Sequence, residues 1–202
     1  MSDTSQESSS RFSPEVEAAL RQGGWFPGRQ VAEEKMAKWY VLRWQATPGY
    51  CRIFPAAYRF LREFGGTHLR MEYRVPQKSG RTHLVTESCF IDPLQTLDYN
   101  EDLWIYYEWQ IETSLYPLGM WDTGDFLHID IQGRFWSLHN SSGDPFLYGH
   151  TTEEALANML SLGHYSSHPP KPIKWTPSDQ LSEELIERIV EAEQRVVPLP
   201  KR

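Results

Sequence analysis

A chain of 202 residues with 40% hydrophobic and 13% aromatic side chains can bury the core of one folded domain, with or without an extension, and is not a disordered chain. Its net charge of −7 and pI near 5.5 argue against nucleic acid as a ligand, because phosphate binding needs a basic stripe. Two cysteines, Cys51 and Cys89, build neither a disulfide framework nor a CxxC motif. No apolar run reaches membrane-span length, and Met1–Ser10 lacks the apolar stretch of a signal segment. A reduced, soluble, cytoplasmic protein with a loose N-terminal tail is expected.

Ser13 followed by Pro14 opens a first helix, a capping hydroxyl ahead of a proline at the first helical position. Val16, Ala19 and Leu20 share one face, and Gly23-Gly24 ends it. Trp25 to Arg29 reads as a tight turn, with Arg29 in structural service rather than at a binding site. A second helix is expected from about Val31 to Trp44, with Met36, Trp39 and Tyr40 inward, until Thr47-Pro48-Gly49 breaks the chain. Pro55 opens a third, where Ala57, Phe60, Leu61 and Phe64 have the i, i+3, i+4, i+7 spacing.

Strands follow. Leu69–Val75 and His83–Ile91 flank Gln77-Lys78-Ser79-Gly80 as a hairpin, and Asp92-Pro93 stops the second strand. Residues 101–113 fit neither the helical nor the strand period cleanly, so helix and strand both stay open there. Leu115–Trp121 reads as a strand. For Phe126–His139 a two-residue turn at Gln132-Gly133 pairs Leu127 with Leu138 and Ile129 with Trp136. These four form an apolar face, and Phe126, His128, Asp130, Phe135, Ser137 and His139 a partly exposed one. Phe146–Tyr148 reads as a short edge strand. Thr152 is expected to cap a helix with Ala155, Leu156, Met159 and Leu160 on one stripe. Residues 166–178 read as a Pro-rich linker and 179–202 as a helical extension, with Leu185, Ile186, Ile189 and Val190 on one side.

Charge is concentrated in one stretch. Residues 101–154 hold ten acids and a single base, Arg134, giving −9, so the remainder of a −7 chain sums to +2. The same stretch carries eleven of the 27 aromatic residues. Carboxylates that steer an encounter, beside rings that anchor it, suit a surface that grips a basic protein. The expected docking surface is the loop Asp122–Asp125 with Trp121, together with Glu101, Asp102, Glu108, Glu112 and Asp130.

Catalytic signatures are thin. There is no HExxH, no zinc-finger spacing, no GxSxG elbow and no phosphate-cradling glycine loop. The best metal candidate is the hairpin face with His128, Asp130 and His139, but the register above does not set the two histidines opposite each other. No enzyme activity, catalytic residue, metal or cofactor is expected.

Several segments in order resemble the SUKH superfamily, specifically its third family of bacterial immunity proteins. They are FSPEVEAALRQGGWFPGR at 12–29, FLREFGG at 60–66, FIDP at 90–93, LYPLGM at 115–120, FLHIDIQGRFW at 126–136 and TTEEALANML at 151–160. The resemblance covers roughly residues 12–163. It implies an α+β domain, over about 12–165 after a flexible tail at 1–11, with a central, mostly antiparallel sheet flanked by N-terminal helices and a C-terminal helix. It also implies a partner: a cognate toxin domain, often a nuclease or nucleic-acid deaminase, held inside the producing cell. The alternative is a regulatory or scaffold module of the same superfamily. Neither nucleic acid nor membrane is an expected partner, and the oligomeric state stays open.

Overall fold

The structure is a computed structural model that describes residues 10–46, 53–76, 80–97, 101–140 and 143–160. Three helices come first: α1 (Pro14–Gln22), α2 (Glu33–Ala46) and α3 (Pro55–Phe64). A hairpin of β1 (His68–Pro76) and β2 (Thr82–Phe90) follows, then a 3-10 turn at Pro93–Thr96 and α4 (Glu101–Ile111). β3 (Leu115–Trp121), β4 (Phe126–Asp130), β5 (Phe135–Leu138), β6 (Phe146–Gly149) and α5 (Thr152–Leu160) complete the domain. This is the expected α+β class. The open segment 101–113 resolves as helix, and the linker and extension expected at 166–202 lie outside the described residues.

The local signals act through their usual chemistry. Ser13 Oγ accepts from the Val16 amide at 3.3 Å, satisfying one orphan donor at the start of α1. Asp92 caps the 3-10 turn in the same way through Leu94 N at 2.9 Å. At the start of α5 the capping hydroxyl belongs to Thr151 rather than Thr152: it accepts from Glu154 N at 3.2 Å, while Glu154 Oε2 accepts from His150 N at 2.8 Å. Arg29 crosses to the C-terminus of α3, donating to the carbonyls of Glu63 and, at 2.6 Å, Gly65. A guanidinium there satisfies carbonyls that the helix leaves unpaired.

The six strands form one antiparallel sheet in sequence order, β1 to β6. Among the described residues the β1–β2 hairpin pairs with β3 at Cys89 opposite Trp121 and Phe90 opposite Met120. Gly119 is required at this junction: a Cβ there would lie 1.9 Å from the Phe90 carbonyl oxygen. Pro117, with no amide to donate, sits where β3 bulges.

Helices cover both faces of β3–β5. On one face Phe60 of α3 meets Phe135 at 4.9 Å and Phe54 meets Tyr116 at 6.2 Å. On the other, Trp104 of α4 meets His128 edge-on at 5.5 Å. Every residue of β4 is therefore buried. This overturns the expected hairpin. Phe126 pairs with Leu138, Leu127 with Ser137, His128 with Trp136 and Ile129 with Phe135, one residue away from the expected register. The loop has three residues, Ile131-Gln132-Gly133, with Gly133 at φ +88°, a longer turn than the two-residue one assumed. The face with His128 and Asp130 is packed against helix instead of lying partly in water.

Candidate functional site

Three acids that reach solvent, Asp122, Asp125 and Asp144, lie around the β3–β4 turn. Trp121 N donates to Asp125 O at 2.8 Å and Gly124 N to Trp121 O at 2.9 Å, closing the turn with Gly124 at φ +92°. Asp122 N donates to Ser88 O at 2.9 Å, tying the turn to β2. The side chain of Asp122 is exposed and that of Asp125 partly so. Asp125 Oδ1 lies 3.0 Å from His139 Nδ1. The hydroxyl of Tyr107 on α4 donates to the His139 carbonyl at 3.1 Å. Gly143 lies against the His139 ring, and exposed Asp144 follows it. One turn, the start of the β5–β6 connection and α4 thus meet in one place.

Electrostatics agree with this placement. Burial, then Tyr106, then Asp125 and Asp144 push the Tyr107 phenol up to about 12, against the opposing effect of its bond to the His139 carbonyl. Burial and then Asp122 push the Cys89 thiol up.

Two residues expected on this surface are interior. Trp121 is buried, with its ring 5.7 Å from that of Tyr148. Asp130 is fully buried: Oδ1 accepts from Gln132 N and Arg134 N, both at 2.9 Å, and Oδ2 from Arg134 Nε at 2.5 Å and Trp136 Nε1 at 3.0 Å. A carboxylate so enclosed holds the hairpin together and has no lone pair left for a partner.

Glu108 is half-buried and accepts from Leu115 N at 2.7 Å, joining α4 to β3. Glu112 is half-buried at φ 54°, in the bend between the same elements. Glu101 and Asp102 begin α4; their side chains lie outside the described set. Glu153 is turned toward Arg11, which also holds Glu63 at 2.7 Å. Burial would raise the Glu153 carboxyl, but the Arg11 guanidinium outweighs it and holds the group below its ordinary value.

The histidine face does not converge. His128 is buried beneath Trp104, His139 turns to Asp125, and Asp130 to Arg134 and Trp136. Among the described residues no three His, Cys, Asp or Glu side chains are placed to hold a metal ion. What the sequence missed is the outward side of α4, where Ile105, Tyr106 and Trp109 are exposed. The signal was helical spacing, masked because that helix is apolar nearly all round.

The architecture defines the class: an α+β domain with helices on both faces of an antiparallel sheet. The family model of the SUKH-3 immunity proteins matches residues 12–162, and the chain belongs to that family. Its general function is therefore immunity, in a family that is not typically enzymatic. No curated protein and no solved structure matches the chain. Among the described residues no helix is long and apolar enough to cross a membrane.

Proposed function

We propose that this chain binds a cognate bacterial toxin domain one to one and neutralises it in the cytoplasm of the cell that produces both. The proposed toxin is a basic nuclease or nucleic-acid deaminase. The observation that carries the reading is the grouping of Asp122, Asp125 and Asp144 around the β3–β4 turn, in a family defined by immunity. An enzyme that handles nucleic acid needs positive charge around its cleft. Carboxylates held at one end of a rigid sheet present that cleft with a substitute polyanion and speed the encounter. The inhibitor needs no cofactor and no chemistry of its own, only occupancy of the cleft.

Co-expression with the toxin domain encoded beside this chain tests the reading. Rescue of growth supports it, and failure with every neighbouring toxin refutes it. Replacing Asp122, Asp125 and Asp144 together with Lys should slow association on the order of tenfold or more at low salt and flatten its salt dependence. An unchanged rate and unchanged salt slope would remove the electrostatic part.

A further inference from the structure

α4 has two unlike sides. Trp104, Tyr107 and Ile111 are buried in the domain, whereas Ile105, Tyr106 and Trp109 stand outward, 40%, 40% and 59% exposed. Ile105 and Tyr106 lie four and three residues before Trp109, the two spacings that make side chains neighbours on a helix. Trp109 is the most exposed of the large apolar side chains among the described residues. Its ring lies 6.4 Å from that of Tyr106, so the two make one aromatic surface with Ile105 at its side.

The Tyr106 side of this surface adjoins the acidic β3–β4 turn. Tyr107, next to Tyr106 in sequence and 5.4 Å from it ring to ring, bonds to the carbonyl of His139, whose own ring is held by Asp125. The only base of residues 101–154, Arg134, is engaged by Asp130. Solvent-exposed aromatic rings near carboxylates complement a protein surface that carries Arg or Lys, whose cations lie over rings and pair with acids at the rim. Central Trp and Tyr within a polar rim are also the arrangement that dominates binding energy at protein interfaces.

We propose that Ile105, Tyr106 and Trp109 of α4 form the anchor on which the Arg- or Lys-bearing surface of the toxin closes, with the β3–β4 carboxylates as its charged rim. This rests on the toxin-neutralising reading and divides the labour within it. The acids set the rate of arrival and the rings set the rate of departure.

The test compares full-length wild type, Trp109→Ala and the Tyr106→Ala/Trp109→Ala double variant. The probe is a catalytically inactive form of the toxin domain encoded beside this chain, and association and dissociation are followed at two salt concentrations. Trp109→Ala should raise the dissociation rate about 30-fold or more, leaving the association rate and its salt slope within about twofold. If wild type itself does not bind, the toxin reading fails and takes the anchor with it. If wild type binds and both variants leave at the wild-type rate, the anchor alone is wrong. Two other results also overturn it. A wild-type dimer that Trp109→Ala splits would show that a second copy covers the face. A melting temperature lowered by more than about 5 °C would show that the chain packs on its own ring.

Discussion

Asp130→Ala separates a residue that builds the domain from one that meets a partner. The substitution removes the acceptor for Arg134 Nε, Trp136 Nε1 and the amides of Gln132 and Arg134 at once. Breaking a buried ion pair from one side costs about 3–5 kcal/mol, because the remaining charge stays unpaired in a low dielectric. Arg134 keeps 23% of its side chain in water, which softens that penalty. The orphaned Trp136 indole donor adds about 1 kcal/mol. A loss of about 3–4 kcal/mol follows, equivalent to a fall of roughly 10 °C in melting temperature for a domain of this size. Asp130→Asn should cost about 2–3 kcal/mol, since an amide can still accept from the backbone but turns a donor toward Arg134. Urea unfolding of both variants beside wild type measures this. A loss under about 1 kcal/mol for Asp130→Ala would refute the reasoning. So would native stability with weakened toxin binding, which is how a surface acid behaves.

Three further outcomes are expected. His128 is buried and, next in importance, sits near the positive Arg43, so its folded pKa is lowered to about 3 from the ordinary 6.5. The unfolded chain therefore takes up this proton first as pH falls, and the stability present above pH 6.5 drains away below it, by about 2 kcal/mol between pH 7 and pH 5. Urea midpoints across that range should show the slope in wild type and lose most of it in His128→Phe. Gly119→Ala places a Cβ against the Phe90 carbonyl, so the junction of β2 and β3 must open; a cost of about 3 kcal/mol or more is expected from thermal unfolding, and a near-neutral result would contradict the close approach. Ser13→Ala removes the cap of α1 and should cost about 1 kcal/mol, measured the same way.

Where one physical signal dominated, the sequence was easy to read. Ser13-Pro14 placed the start of α1, and the spacing of Ala57, Phe60, Leu61 and Phe64 marked the buried side of α3. The register of β4 and β5 was not legible for a definite reason. Alternation reports which side is wet, and neither side of β4 is wet, because α3 and α4 lie on opposite faces. With that cue gone, the assumed turn length decided the pairing, and a third loop residue shifted it by one. The candidate surface was half legible. Asp122 and Asp125 lie in the turn where Gly124 and the acids pointed, but Trp121 ends a strand enclosed on both sides. Trp109 could be told from Trp104 only by knowing that residues 101–111 are helical, and apolar residues on nearly every side of that helix hid its period.

α5 touches β6 beside it, β1 at the opposite margin, and α1. It leaves the ribosome after all six strands, so the two borders of the curled sheet stay unjoined until residues 152–160 emerge. Closure of the domain therefore waits for residues 152–160, a single short helix that latches the first helix and first strand to the last strand.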